Sequence, residues 1–427
     1  MSSVVVKGRF PTRQRGWLAS FIVLPYFMYG AMLIMVYLLV TAMMQRGRSV
    51  WQLCGQTGFG WLTAGLLLSS SFGINRGDAF LQLANFLPFF VLWGVLATHP
   101  AIAFRPFAKL ESVAQWLVLS AIPLCAIAIA EYIVKFEGTA QYVRSLPLPQ
   151  RFFIWLYEEP SFGHRAHSLF DHPYGLSAYL VMILGLGLGL LLKTLADGEQ
   201  RPLKAVPSSR YRLTLLAAVA LCVSAVFCTG SRNGLQIALV LGAIALYAAR
   251  RYRWVLLSGL ASLGAISAAV VSFGIGGRSL SLAIFTGDPR LGVWRLAIEM
   301  IQERPLLGWG LSGLRERYIP DSIPGYDSIF HAHNIWLFLA SESGIPVMLG
   351  FCVICGTLCY RAVRTYLGSD LTASNRAVLF SYLLAFSACL MFALFDVVLH
   401  DARLNIPAWG LLAALYVMSR PAYRRAS

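Results

Sequence analysis

The chain has 427 residues, of which 58% are hydrophobic and only 13% are charged. Soluble globular domains carry roughly 25% charged residues, so this chain lacks the charge that a water-facing surface requires. In a soluble protein its net charge of +16 would suggest nucleic acid as a partner. Here most basic residues lie in short segments between apolar runs, where they set membrane orientation and meet lipid headgroups. The sequence therefore predicts membrane lipids, and no nucleic acid, as partners.

Apolar runs long enough to cross a bilayer recur along the chain. About 20 helical residues span the hydrocarbon layer, where only intrahelical hydrogen bonds can satisfy the backbone of an isolated segment. We predict an all-α polytopic integral membrane protein, with residues 1–427 forming a single membrane domain. The predicted spans lie at residues 58–74, 79–98, 113–136, 174–192, 213–229, 234–249, 254–274, 335–360, 377–399 and 404–418.

The first apolar stretch, Trp17–Met44, allows two interpretations. As one helix it would place the basic N-terminus outside, against the orientation of the other spans. As a short helical hairpin broken near Pro25–Gly30 it keeps that terminus inside and gives about twelve spans. We favour the hairpin because it satisfies the distribution of positive charge.

The basic loops predict which segments share a side of the membrane. Lysine and arginine are in excess at Lys193–Arg212, Arg250–Arg253, Arg361–Arg376 and Arg420–Arg425. The positive-inside rule places all four in the cytoplasm. The predicted outer segments are then 137–173, 229–234, 400–403 and the long loop at 275–333, which is inserted between two spans.

The long outer loop is too long for a simple connector, and such loops are usually functional. Leu291, Trp294, Ile298 and Ile301 recur in it at helical spacing, which predicts an amphipathic helix at the membrane interface. Pro305 should end this region, and a glycine-rich turn at 308–313 follows.

Three arginines on the predicted outer side need an explanation, since orientation signals favour the opposite side. They are Arg165, Arg232 and Arg290. A guanidinium presents a rigid fork of donors that suits phosphate oxygens, so three at one face would bind a pyrophosphate. The alternative for each is anchoring at the interface.

Histidines concentrate in the same outer segments and could transfer a proton near neutral pH. The alternative for each is a hydrogen-bonded interface residue. His164, His167 and His172 match no strong metal-ligand spacing. His331 and His333 could also bind a metal together, but neighbours two apart on a helix point to different faces. The sequence therefore predicts no metal, and it contains no nucleotide-binding fingerprint that would imply a cofactor.

The order of four stretches resembles the O-antigen ligase and polymerase superfamily of bacterial envelope enzymes. Together they cover roughly residues 160–350. They are Arg165-Ala-His-Ser-Leu-Phe-Asp-His-Pro173, Thr229-Gly-Ser-Arg232, the loop sequences Asp288-Pro-Arg290-Leu and Pro305-Leu-Leu-Gly308-Trp-Gly310, and His333-Asn334 followed by Gly344-Ile345.

The resemblance implies a glycosyltransferase with its site facing the periplasm from the bacterial inner membrane. It would transfer a glycan from undecaprenyl pyrophosphate to a sugar hydroxyl of the lipid A core, with inversion and without a metal or cofactor. His333 would be the general base, and Arg232 and Arg290 would hold the pyrophosphate. The further candidates for binding the pyrophosphate or the acceptor are Arg165, His331, Asn334, Arg295 and Asp396.

Two kinds of alternative remain beside the ligase: another enzyme of the same superfamily, and a lipid-linked glycan transporter. The other enzyme would be a polysaccharide polymerase or a protein O-oligosaccharyltransferase, which would share these motifs. We favour the ligase because the chain is compact and has no extra C-terminal soluble domain. A lipid-linked glycan transporter would be expected to show broken helices, charges at mid-span and internal repeats.

Overall fold

The computed structural model describes residues 12–137, 162–200, 209–275, 288–324 and 326–420. These ranges are nearly all helical and contain no β-strand, only an isolated bridge between Ile323 and Tyr326. In chain order the helices are α1 (Thr12–Val23), α2 (Met28–Thr57), α3 (Phe59–Ser71), α4 (Arg76–Gln82), α5 (Leu87–Ala97), α6 (Pro100–Phe104), α7 (Pro106–Glu137), α8 (Pro173–Gln200), α9 (Ser209–Cys228), α10 (Arg232–Ala248), α11 (Arg253–Phe273), α12 (Arg290–Glu303), α13 (Gly313–Arg317), α14 (Ile335–Ser343), α15 (Ile345–Leu367), α16 (Ala373–Phe392) and α17 (Ala402–Met418).

The predicted all-α polytopic membrane fold is confirmed. Eight helical segments within the described ranges are long and apolar enough to cross a membrane. Helices α10 and α17 are apolar but have 17 residues each, while α1 and α3 have 12 and 13. A spanning helix usually needs about 17–25 residues. The number of twelve spans therefore stays a prediction.

The N-terminal apolar stretch is broken where the hairpin interpretation requires it. Helix α1 ends at Val23 and α2 begins at Met28. Helix α2 is longer than the predicted second arm, because it continues to Thr57 before Gly58 ends it with a φ of 98°. Such a left-handed φ suits glycine, which has no Cβ to clash with the backbone.

The prediction of one continuous span at 335–360 is wrong. Gly344, with a φ of 87° and a ψ of 156°, separates the nine-residue α14 from α15. A Cβ at this glycine would collide with the backbone at Leu306, so the break is where the outer loop contacts the helix pair. Helix α14 is too short to span a bilayer alone, and it packs against α12 and α3.

The predicted amphipathic helix of the outer loop is present as α12. Its side toward the protein is formed by Val293, Ala297 and Met300, all fully buried. Leu291 and Ile298 of the predicted apolar stripe are 43% and 45% exposed. The helix thus has a second apolar side, and its contact with the membrane interface stays a prediction.

Helix α8 forms the centre of the bundle and is the most buried of the candidate spans. Gly185 and Gly189 let it approach α16 closely, because a Cβ at either glycine would collide with the backbone of Ala385 or Ser381. Small residues four apart commonly allow such close packing of membrane helices. This packing holds the middle of α8, whose first turn begins at Pro173 beside the candidate site.

Candidate active site

The turn before α10 is built from small residues packed against Arg165. Thr229 and Ser231 are completely buried, and Gly230 has a φ of 60°. The Ser231 hydroxyl caps α10 by accepting a hydrogen bond from the backbone N–H of Gly234 at 3.2 Å. Arg232 is therefore the first residue of α10, fixed at its N-terminus.

Arg165 joins this turn to the first turn of α8. Its Nε donates a hydrogen bond to the Thr229 carbonyl at 2.9 Å, and only 8% of the residue is exposed. Its guanidinium carbon lies 4.6 Å from the centroid of the Tyr174 ring. A cation over an aromatic face is attracted by the ring quadrupole, so Tyr174 helps to hold the arginine in place.

A buried carboxylate that sequence reasoning missed anchors the segment around Arg165. Glu131 on α7 accepts hydrogen bonds from the backbone N–H groups of His167 at 3.1 Å and Ser168 at 2.7 Å. Lys135 lies 2.6 Å from the same carboxylate and donates to the Arg165 carbonyl at 3.1 Å. These contacts fix a backbone that turns at Ser168 with a φ of 51°.

Arg290 reaches the same aromatic ring from the outer loop. Its guanidinium carbon lies 5.3 Å from the centroid of the Tyr174 ring. The start of α12 is fixed because Asp288 accepts a hydrogen bond from the Arg290 backbone N–H at 3.0 Å. Arg290 also interacts electrostatically with Tyr326, whose ring centroid lies 5.5 Å from that of His333.

The position of His333 follows from the way α14 begins. Its φ is 47°, a left-handed conformation that histidine adopts more readily than most residues. Asn334 caps α14 by accepting hydrogen bonds from the N–H groups of Trp336 and Leu337, and its amide donates to the Leu394 carbonyl at 3.1 Å. The end of α16 is thereby fixed beside His333.

Asp396, just beyond α16, faces two histidines. Its Oδ1 lies 3.5 Å from Nδ1 of His333 and 3.9 Å from Nε2 of His331. The His331 ring also stacks on that of His400, with 5.3 Å between the centroids. Three histidines and one carboxylate therefore form a cluster at the start of α14.

Burial decides the charge of most of this cluster. It lowers the pKa of His331 to about 3 and that of His400 to about 4, so both are neutral at pH 7. Burial alone would raise the pKa of Asp396. Hydrogen bonding to His333 and electrostatic interaction with the His331 and His333 rings outweigh it and hold that pKa below its ordinary value. Asp396 is thus a carboxylate beside the neutral imidazoles of His331 and His400.

His172 links the arginines to the histidine cluster. Burial and the neighbouring Arg165 lower the pKa of His172 to about 4, while the charge of Asp396 opposes them. His333 also acts electrostatically on His172. The His172 ring stacks on the Tyr174 ring, with 4.6 Å between the centroids. Groups that interact this way lie near one another, so the two sets of residues face one region.

His331, His333 and Asp396 each offer one possible metal-ligand atom, and these atoms all lie within 4.8 Å of one another. This spacing is close enough for the three residues to bind one metal ion. The sequence argument against this pair of histidines assumed a helix and is wrong, because both precede α14 and the left-handed φ of His333 turns them together. His164, His167 and His172, the other histidines considered as metal ligands, do not converge in this way. His164 and His167 hydrogen-bond to the carbonyls of Lys135 and Phe170.

The structure unites most of the residues named from the sequence. Arg165 and Arg290 meet at Tyr174, and His331 and His333 meet at Asp396. The amide of Asn334 is engaged in holding α14 and α16 together, and Arg295 lies on the exposed side of α12. Sequence reasoning missed the residues that connect these groups, namely Tyr174, Tyr326, His400 and Glu131. Only His400 gave a signal, as another histidine in a predicted outer segment.

Comparison with known proteins finds a family that matches part of the chain. Residues 217–352 match the family model described as O-antigen ligase. Curated proteins gave no match. The matched region contains Arg232, Arg290 and His333, whereas Arg165 and Asp396 lie on either side of it. Members of the family are glycosyltransferase-like enzymes that use lipid-linked glycans and acceptors. The family match and the polytopic helical fold together support placing this chain in the O-antigen ligase and polymerase superfamily.

Proposed function

We propose that the protein is an O-antigen ligase at the periplasmic face of the bacterial inner membrane. It transfers a glycan from undecaprenyl pyrophosphate to a sugar hydroxyl of the lipid A core. The observation that carries this proposal is that two arginines lie over the Tyr174 ring, close to the proposed base. Tyr326 lies between these two parts of the site, because it interacts with Arg290 and its ring is next to that of His333, the partner of Asp396. A cationic site and a proton acceptor are the two parts that this transfer needs.

His333 is the proposed general base. Asp396 lies on the Nδ1 side of its ring, so a proton on Nδ1 would face the carboxylate and leave Nε2 to accept the proton of the acceptor hydroxyl. The carboxylate then stabilises the imidazolium as it forms, as in other carboxylate–histidine pairs. Positioned proton transfer of this kind contributes roughly 10²–10⁴-fold to rates.

The arginines are proposed to bind the pyrophosphate. Arg165 and Arg290 bring two permanent charges to one ring, and Arg232 begins α10 beside the turn that Arg165 contacts. The N-terminus of α10 adds the positive end of its dipole. As the glycosidic bond breaks, negative charge grows on the leaving phosphate. Donors already in place there stabilise the transition state by about 3 kcal/mol each.

A single displacement that inverts the anomeric centre fits these residues. Retention would need a carboxylate nucleophile at the anomeric carbon. Within the described part of the site, Asp396 faces the histidines and Asp288 is bound to the backbone of Arg290. We propose that the reaction is also independent of metal, because the arginines neutralise the phosphates and His333 must remain free to accept a proton.

Lipopolysaccharide banding tests the proposal in a strain that lacks the protein. The strain is complemented with wild type, with His333→Gln, or with His164→Gln, a control that changes an exposed histidine at the same end. Wild type and His164→Gln should restore O-antigen on the lipid A core, and His333→Gln should not. Transfer by the purified protein should also persist in EDTA. A loss in EDTA would instead favour a metal at His331, His333 and Asp396.

The same experiment separates the alternatives. If single repeats remain linked to the core without the protein and only long chains vanish, the protein is a polymerase. If the banding does not change at all, the acceptor is not the lipid A core and the ligase proposal fails.

A further inference from the structure

A cavity of about 330 Å³ lies at the end of the bundle opposite to the candidate active site. Helix α8 begins beside that site at Pro173, and its 28 residues place its far end roughly 40 Å away. The cavity is formed by the last turns of α8, α10 and α15 and the first turn of α16. Its lining residues are Leu192, Ala196, Ala248, Arg250, Arg251, Tyr366, Ala373, Arg376 and Ala377.

Three arginines make this cavity strongly basic. Arg376 donates a hydrogen bond from one terminal nitrogen to the Gly368 carbonyl at 2.8 Å, while its Nε is buried without a hydrogen-bond partner. A buried donor without a partner is costly, and a ligand acceptor would satisfy it. Arg250 is held over the Tyr247 ring at 4.3 Å. No acidic side chain is among the described residues that line the cavity.

The acids nearest the cavity, among the residues that the structure describes, lie outside its lining. Glu111 and Asp197, close to the end of α8, both bind Lys193, with oxygen–nitrogen distances of 3.0 and 2.5 Å. Asp370 lies in the turn before α16 and is not part of the lining. The N-terminus of α16, where Ala373 lines the cavity, adds the positive end of a helix dipole. The potential inside therefore favours an anion.

The other half of the lining is apolar. Leu192, Ala196, Ala248 and Ala377 belong to helices that continue into the bundle, so the cavity is basic at one edge and hydrocarbon-like at the other. Lipid headgroups lie at the ends of membrane spans, and basic pockets between helices at that level bind anionic headgroups. Free phosphate has no hydrocarbon group that could contact the apolar side.

We propose that this cavity binds an anionic phospholipid of the adjacent leaflet. Arg250, Arg251 and Arg376 contact its phosphate, and its acyl chains lie along the apolar helix surfaces. This site is separate from the proposed transfer chemistry, and it would tie the ends of α8, α10, α15 and α16 together. Its chemistry requires only a phosphodiester with net negative charge and hydrocarbon tails.

Binding by the purified full-length protein tests this proposal. Native mass spectrometry and thermal unfolding would be measured with phosphatidylglycerol, with phosphatidylcholine and with inorganic phosphate. The site variant combines Arg250→Gln, Arg251→Gln and Arg376→Gln. The matched control combines Arg210→Gln, Arg212→Gln and Arg253→Gln, three exposed arginines predicted to lie on the same side of the membrane. Both variants lose three charges.

We expect wild type and control to prefer phosphatidylglycerol, and the site variant to bind it about a hundredfold more weakly, as three arginine–phosphate contacts predict. Equal losses in both variants would show general surface charge and overturn the proposal. So would tighter binding of inorganic phosphate than of the lipid. If the triple variant does not fold, Arg250→Gln and Arg251→Gln are measured singly, and each should bind the lipid about fivefold more weakly. Both residues are exposed, so the single variants should still fold.

Discussion

Arg165 and Arg290, 125 positions apart in the sequence, lie 4.6 and 5.3 Å from the centroid of one aromatic ring, that of Tyr174. Like charges repel one another, so holding two guanidinium groups at one ring needs compensation. The ring face supplies part of it through cation–π attraction. A bound pyrophosphate would supply the rest, which makes the arrangement suited to an anion between the two arginines.

Replacing Tyr174 should therefore weaken donor binding. We expect Tyr174→Ala to raise the KM for the lipid-linked donor about tenfold or more, since each cation–π contact is worth about 0.5–2 kcal/mol. Tyr174→Phe keeps the ring and should stay within about threefold of wild type. The measurement is transfer by purified protein at varied donor concentration. Equal effects of both substitutions would show that the hydroxyl, and not the ring, is what the site uses.

Asp396→Asn tests whether the carboxylate acts through His333. The amide keeps the shape but cannot stabilise an imidazolium, so kcat should fall about 10²-fold or more while the donor KM changes little. The rate should also reach its plateau at a lower pH than in wild type, because loss of the carboxylate makes the imidazolium easier to deprotonate. Asp327→Asn, an exposed acid of the predicted outer loop, is the control. An unchanged kcat and pH profile would remove Asp396 from the proposed mechanism.

The sequence predicted the charged residues of the candidate site but not the aromatic residues between them. Arginines and histidines were found because they stood in outer segments where apolar or orientation-neutral residues would be expected. Tyr174 and Tyr326 were not found, because an aromatic residue at the start or edge of a membrane helix is common and carries no local sign of its partners. Their role depends on packing between separate segments, 116 positions apart for Tyr174 and Arg290, which periodicity does not record.

The fold was predicted better than its interruptions. Hydrophobic runs located the helices because the bilayer imposes a length on each span. The break at Gly344 was missed because residues on both sides are apolar, so α14 and α15 look like one span. What selects the break is the approach of the Leu306 backbone to a glycine. The convergence of His331 and His333 was missed for a related reason, since a left-handed φ at one residue leaves no trace in hydrophobic spacing.

Acid should destabilise the outer end of the protein. In the unfolded chain His331 and His400 bind protons near their ordinary pKa of 6.5, whereas burial keeps them neutral down to about 3 and 4 in the folded protein. Their pKa values are lower when folded, so stability is full above about pH 6.5 and is lost as the pH falls. The slope is about 1 kcal/mol per pH unit for each histidine.

Thermal unfolding between pH 7.5 and 4.5 measures this effect. We expect the Tm of wild type to fall below pH 6.5 and that of His400→Phe to fall less steeply, because one of the buried histidines that take up protons is gone. Exposed His164 provides the comparison, and His164→Gln should follow wild type. Identical slopes for wild type and His400→Phe would mean that burial of His400 does not control the acid response.

Close packing of α8 on α16 should control both stability and the site. Gly189→Ala places a Cβ against the backbone of Ser381, and overpacking of this kind costs about 1–3 kcal/mol. Gly198→Ala on the same helix is the control, because no atom lies within 4 Å of its added Cβ and alanine favours a helix over glycine. Thermal unfolding should show a lower Tm for the first variant and an equal or higher Tm for the second. Because α8 carries Tyr174 in its first turn, Gly189→Ala should also raise the donor KM. A normal KM with a lowered Tm would show that the helix pair yields away from the site and leaves the two arginines in place.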